Sequence, residues 1–252
     1  MSAAAPSASS SSSRFASTLI DLLDRVEYRR VSLAEQFDPV YRLRYDAYRR
    51  EDFIPINSQE ITRDEYDDAS NCYCFGVYIE GELVSSIRFH HVTPDNRTSP
   101  SRTIWPEVLD PILDRGDSYI DPSRFTADHE ASLALPALPY LTLRIIAMAS
   151  EHFSVRYTIS SVRAEHSAFY RRVFGSTRLA DERFWGELQF PVCLYAAEVP
   201  EIRNRVADRF PFFMSTPEER EALFGRDTGP QRVVAPTARV AHRLRLIGAE
   251  GY

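Results

Sequence analysis

"YIDPSRFTADHE" (residues 119–130) is the stretch on which the reading of this chain turns. A β-type run, Tyr119-Ile120, reaches Asp121 and then Pro122. Proline has no N–H to give a sheet ladder, so a strand here must bulge or splay. Asp121 and Arg124 lie three positions apart, with Ser123 between them and Phe125 next. No glycine-rich turn follows; the chain continues "TADHEASLALPALP" (126–139).

Upstream, "WPEVLDPILDRG" (105–116) reads as a short helix ended by Gly116. "YCFGVYI-EG-ELVSSIRFHHV" (73–92) reads as a β-hairpin about a Glu-Gly turn. "FDPVYRLRYDAYRRED" (37–52) is a helix with Asp38 as N-cap, Pro39 in the first turn and Val40, Leu43 and Ala47 at helical spacing. Between these two lies a polar, acidic loop (53–71), and residues 17–30 begin with a short amphipathic helix. Downstream, "YLTLRIIAMASEHF" (140–153) is apolar round most of its circumference, as a buried helix is. Then come a strand "VRYTISSV" (155–162), a helix "HSAFYRRVFG" (166–175) stopped by Gly175, and a strand "ELQFPVCLYAAE" (187–198). An amphipathic helix opens at Pro200, and a capped one follows at 215–225. Helix, hairpin, helix, strand, helix, strand, helix, strand is a mixed α/β (α+β) order, not a doubly wound one. The expected organisation is a disordered Ser/Ala-rich start (1–16), one domain over 17–225, and a tail (226–252) without a pattern.

Composition narrows the chemistry. A chain of 252 residues at 44% hydrophobic can bury a sizeable core. No run approaches the roughly 20 apolar residues of a membrane helix. The start "MSAAAPSASSSSSRF" lacks the basic and apolar regions of a secretory signal, so a cytoplasmic protein is expected. All 30 basic residues are arginine, which excludes a Schiff-base lysine and a phosphate-loop lysine. A net charge of −6 argues against general nucleic-acid binding. Three cysteines without a CxxC spacing favour packing over a disulfide framework or zinc. His90 and His91 would point to opposite faces of one strand, so no metal site is expected.

"RLRYDAYRRE" (42–51), "DEYDD" (64–68), "SSIRFHHV" (85–92) and "DPSRF" (121–125) stand in the order and approximate spacing of motifs in the N-acyl-homoserine lactone synthases. They resemble still more closely those of the long-chain N-acyl amino acid synthases, within the GNAT acyltransferase superfamily. The resemblance spans about residues 37–198 and implies a GNAT-like fold with a mixed central sheet flanked by helices. By it, Arg44 and Tyr48 match the first helix, Asp64 and Asp67 the acidic loop, and Arg88 the second hairpin strand. Asp121, Ser123, Arg124 and Phe125 match a Glu-x-Ser-Arg-Phe strand. Two positions depart from the signalling synthases: Phe53 stands where they carry Trp, and Asp121 where they carry Glu.

The implied activity moves a fatty acyl group from acyl carrier protein to the α-amine of an amino acid. Its donor is a phosphopantetheine-linked thioester, and no bound cofactor is implied. Amide formation from a thioester needs a base near the amine, a donor for the oxyanion and an apolar slot for the chain. Asp121 beside the Pro122 break is the candidate base; alternatively it pairs with Arg124 or Arg88 and only braces the sheet. Arg44, Arg88 and Arg124 with Asp64 and Asp67 suggest a charge network in which one guanidinium holds the acceptor's carboxylate, or in which all pair internally. Tyr170 is a candidate acid for the leaving thiol. The slot is expected from Ile104, Trp105, Leu109, Leu113, Leu141, Ile145, Met148 and Phe153, or these are ordinary core. A diphosphate-bearing donor would want glycines after the Ser-Arg-Phe strand. Their absence favours carrier protein, with Arg156, Arg163, Arg171, Arg172 and Arg178 as an acidic partner's docking patch, or as solvated surface. Two other functions remain open: a homoserine lactone synthase using S-adenosylmethionine, and a non-catalytic acyl-carrier or lipid-binding module on the same fold.

Overall fold

The computed structural model describes residues 8–32, 35–184, 190–225 and 233–249. In chain order the elements are α1 (Ala8–Leu23), β1 (Val26–Arg30), α2 (Pro39–Arg50), β2 (Cys72–Ile79), β3 (Glu82–Val92), α3 (Pro100–Ile104), α4 (Pro106–Asp114), β4 (Tyr119–Ala127), α5 (His129–Ala134) and α6 (Leu138–His152). Then follow β5 (Tyr157–Val162), α7 (Ser167–Phe174), β6 (Thr177–Phe184), β7 (Pro191–Glu198), α8 (Val199–Arg209), α9 (Pro217–Phe224), β8 (Val233–Val234) and α10 (Ala238–Ala249). They build one eight-stranded sheet in the order β6-β7-β5-β4-β3-β2-β1-β8. Every pairing is antiparallel except β4–β5.

Local chemistry explains the frame. The hairpin turns at Glu80 and Gly81, both at positive φ (53° and 88°), as its two-residue loop requires. Asp38 caps α2 by accepting from the Val40 amide at 2.9 Å, and Pro39 occupies the first turn. Gly175 ends α7 in the left-handed region at φ 62°. Helix α6 crosses one sheet face in the main core with α1, α9, Phe75, Phe89 and Phe224. The opposite face carries a second core of Trp105, Leu109, Tyr119, Ile159 and Leu194. No described helix is long and apolar enough to cross a membrane.

The ends differ from the sequence reading. Helical backbone begins at Ala8, within the Ser/Ala-rich stretch expected to be disordered, and the helix is anchored by Leu19, Ile20 and Leu23. The expected tail contains β8, which pairs with β1, and α10, whose Ala238 and Ala241 are buried. Residues 1–7, 226–232 and 250–252 lie outside the described residues. Strands β1 and β6 had no place in the sequence reading. Strand β6 is exposed along almost all its length, so no buried face patterns it. The cysteines are buried and free. Burial pushes the Cys74 thiol up to about 11, and its sulfur accepts from Arg44 at 3.0 Å, so it packs rather than reacts.

Candidate active site

The two central strands part where the sequence breaks. β4 and β5 pair only at Tyr119↔Tyr157 and Ile120↔Thr158. Beyond them Asp121–Phe125 and Ile159–Val162 diverge, and a cavity of about 470 Å³ opens in the gap. Its walls include Pro122, Ser123, Arg124 and Phe125 from β4, Ser160, Ser161 and Val162 from β5, and Tyr48 and Phe53 from the α2 side. A narrower apolar lobe of about 100 Å³ runs on from Pro122, Leu143, Ser160 and Tyr170, which line both. Ile146, Phe174, Ile202, Val206 and Phe213 continue its wall. One lobe is thus charged at its edge and the other is mostly apolar.

Strand β4 reaches the cavity through a second irregularity. Ser86 pairs with Thr126 and Arg88 with Ser123, so Arg124 and Phe125 together oppose Ile87 as a β-bulge. Arg124 takes φ 53°, a left-handed conformation that costs a non-glycine residue roughly 1–2 kcal/mol. The bulge turns its guanidinium toward Asp64 and the cavity edge, with Tyr48 at 5.4 Å from ring centroid to guanidinium.

The acidic loop supplies the counter-charges. Asp64 and Asp67 form a reciprocal capping box on a short 3-10 turn, Glu65–Asp68. From there the ion pairs run Arg44–Asp67 (2.8 Å), Asp67–Arg88 (2.9 Å), Arg88–Asp64 and Asp64–Arg124 (2.6 Å). Burial alone would raise the Asp64 carboxyl; Arg88 and then Arg124 reverse this and hold it well below the usual carboxylate range. Arg88 Nε also donates to Ser123 Oγ at 3.0 Å. Three guanidinia face two carboxylates, so the network carries an excess positive charge. Among the described residues buried Arg124 Nη1 makes no hydrogen bond of good geometry; the Tyr48 side chain stands beside the guanidinium.

Other expected site residues lie elsewhere. Asp121 is sealed from the cavity, so it is not a base in contact with substrate, and it pairs with neither Arg88 nor Arg124 as the alternative expected. Its neighbour Pro122 lines the cavity instead. The Asp121 carboxylate accepts instead from Ser99 Oγ (2.6 Å), the Ser101 amide (3.0 Å) and Ser101 Oγ (2.5 Å). Trp105, Leu141 and Ile145 are core, not slot. Trp105 belongs to the cluster on the other sheet face, and the α6 residues that line the cavities are Pro139, Leu143, Ile146, Ala147, Ser150 and Glu151. Leu109, Leu113 and Met148 are buried likewise. A helix apolar all round gives no sequence signal of which side lines a cavity.

Tyr170 does stand at the junction of the two lobes, and burial pushes its phenol up to about 12. It is therefore a hydrogen-bond donor in the neutral range and a poor proton source for a thiolate, unlike the acid expected of it. Arg163 lines the cavity with its guanidinium 5.5 Å and 5.6 Å from the rings of Phe53 and Phe190. Arg156 and Arg178 pair with Glu198 and Asp181. Arg171 and Arg172 are exposed in the last turn of α7. Ser160 and Ser161 are cavity residues that the sequence did not mark; their only signal was their place on the strand parallel to β4.

The family model described as N-acyl amino acid synthase FeeM matches residues 39–198. Among solved structures the chain is similar to FeeM, an N-acyl amino acid synthase from uncultured soil microbes. That likeness has 18% identity and a TM-score of 0.59, covering 73% of this chain and 97% of that one. It is similar to the AHL synthase LasI at 18% identity and a TM-score of 0.50, covering 82% of this chain and 98% of that one. A third similar structure is the CoA-dependent acyl-homoserine lactone synthase BjaI, at 13% identity and a TM-score of 0.50, with 72% and 87% covered. These likenesses show the GNAT-like acyltransferase fold that the motifs implied. No curated protein is similar enough to match.

Proposed function

The chain belongs to the FeeM family of N-acyl amino acid synthases, and on that premise we propose that it transfers a fatty acyl group from acyl carrier protein to the α-amine of an amino acid. The observation that carries this is the two-lobed cavity in the β4–β5 gap. An amphiphilic product needs an apolar lobe for its chain and a charged edge for its carboxylate, joined at the reacting carbon.

Arg124 is the carboxylate anchor. Its Nη1, without a hydrogen bond of good geometry among the described residues, and the network's excess positive charge are both satisfied by one anion. Asp64 fixes the other side of the guanidinium, so the fork is pre-oriented. The acyl chain enters the lobe lined by Leu143, Ile146, Phe174 and Phe213. That places the thioester carbon near Pro122, Ser160 and Tyr170, where both lobes meet. Backbone groups of the parted strands face the gap there and are the candidate oxyanion donors. The Tyr170 hydroxyl is placed to hydrogen-bond the departing thiolate.

The start of α6 supports the carrier-protein donor. A diphosphate would need free amides there, but Leu138 N donates to Leu135 O (2.9 Å) and Tyr140 N to Ala137 O (2.9 Å). Pro139 between them has no N–H. Arg171 and Arg172, next to Tyr170 on α7, make no ion pair among the described residues and suit an acidic carrier.

Mass spectrometry of organic extracts from bacteria expressing this chain, beside an Arg124→Met culture, tests the reading. New N-acyl amino acids that fall away in the variant are expected. Acyl-homoserine lactones would overturn it in favour of lactone synthesis. A soluble, folded chain that yields no new lipid and acylates no standard amino acid from acyl carrier protein in vitro would point to a non-catalytic module.

A further inference from the structure

A buried carboxylate that cannot touch substrate is connected to the cavity by two hydroxyls. Ser101 Oγ donates to Asp121 Oδ1 at 2.5 Å, and Ser101 Oγ lies 2.7 Å from Ser161 Oγ. Ser161 lines the cavity; Ser101 and Asp121 are fully buried. The direction of the chain follows from proton counting. A serine hydroxyl has a single proton, and that of Ser101 goes to the carboxylate. Ser161 must then donate to Ser101, which leaves the Ser161 oxygen with lone pairs and no proton to offer the cavity. The cavity end of the chain is therefore an acceptor. The other oxygen, Asp121 Oδ2, accepts from Ser99 Oγ and the Ser101 amide, so the carboxylate is held through both oxygens.

We infer that Ser161, Ser101 and Asp121 form a proton relay that draws the proton from the attacking amine. This rests on the acyl-transfer reading above. As the amine nitrogen bonds to the thioester carbon, its proton passes to Ser161 Oγ. The Ser161 proton passes to Ser101, and the Ser101 proton to Asp121 Oδ1. The C–S bond then breaks, the thiolate leaves with the bonding pair and takes a proton from water. Asp121 returns its proton along the same hydroxyls to solvent once the amide departs. The net change is one N–H proton lost and one S–H proton gained, with no oxidant or further reactant. Ser161 is the catalytic residue, touching substrate; Ser101 and Asp121 act through it. The relay reconciles a carboxylate at the strand break with its burial beneath it.

The test measures kcat and acceptor KM for the full chain with a fatty acyl-phosphopantetheine donor and each standard amino acid as acceptor. It adds the dependence of kcat on the deuterium fraction of the solvent. Relays that move several protons together give a curved dependence. In Ser161→Ala, kcat is expected to fall about 10- to 100-fold with acceptor KM moved less than threefold, and the curve to straighten. Ser161→Thr, which keeps the hydroxyl, should recover most of the rate. Ser161→Ala is decisive because a cavity-wall hydroxyl is dispensable for folding, and a thermal melt checks that. A tenfold or greater loss with a straightened curve supports the relay; a smaller loss, or an unchanged curve, overturns it. A wild-type chain that acylates no amino acid under these conditions instead overturns the acyl-transfer reading, and the relay with it.

Discussion

Arg144 and Arg88 are both fully buried and both paired with carboxylates, yet their surroundings are opposite in kind. Arg144 donates to both oxygens of Glu219 (2.5 and 2.9 Å) and to the Phe212 and Met214 carbonyls (2.8 and 2.7 Å). Glu219 also accepts from the Thr237 amide and hydroxyl (2.9 and 2.6 Å). One charge meets one charge, and the pair is closed. It ties α6 to the segments that precede and follow α9. The network through Arg88 has three guanidinia to two carboxylates, ends at a bulged, left-handed Arg124 on the cavity wall, and among the described residues leaves Arg44 Nε and Arg124 Nη1 without a hydrogen-bond partner. A closed pair fixes a fold; an open one leaves room for a ligand's charge.

If this contrast holds, mutations in the two systems should separate stability from activity. Glu219→Ala strands a buried guanidinium and should cost about 3–5 kcal/mol in urea unfolding. Acceptor KM of the protein that remains folded should not change. Arg124→Met should do the reverse. It leaves Asp64 with Arg88 and relieves the strained backbone little, so unfolding free energy should shift by less than about 1 kcal/mol. Steady-state kinetics should show kcat/KM for the acceptor down by about 30- to 1,000-fold, the 2–4 kcal/mol of a buried charge pair lost.

Acid sharpens the comparison next. The Asp64 and Asp67 carboxyls titrate below their ordinary values in the folded chain. Groups depressed in this way add stability above the unfolded carboxylate value, near pH 4, and lose it as pH falls through the folded one. Wild-type stability should decline below about pH 5, and Asp64→Asn should flatten that decline as followed by denaturant melts at stepped pH. The smallest effect belongs to the surface. Arg171→Glu with Arg172→Glu should raise KM for acyl carrier protein about threefold to tenfold at low salt. The rise should fade with added salt and be absent with acyl-phosphopantetheine.

Much of the frame was legible because local chemistry dictated it. The Glu80-Gly81 turn, the Asp38 cap and the Gly175 stop each have one backbone solution. Pro122 marked the break in β4, and the splay lies there. The charge network was legible as a set of residues. Its open end was not, because the bulge that re-aims Arg124 comes from the Ser86–Arg88 register, which local sequence does not encode. Asp121 illustrates the opposite failure. Its place in the strand suggested a base in the open, but Ser99 and Ser101, which no sequence pattern marked, enclose it. The acyl slot was misplaced because α6 is apolar on every side, so only tertiary contacts choose between Leu141 and Leu143.

The most direct measurement pairs wild type with Arg124→Met, comparing acylation of an accepted amino acid with that of its carboxamide. The expected result is a preference for the free carboxylate of about 100-fold in wild type that collapses to nearly none in the variant. A variant that keeps the full preference would contradict Arg124 as the carboxylate anchor, and with it the open network as a binding site.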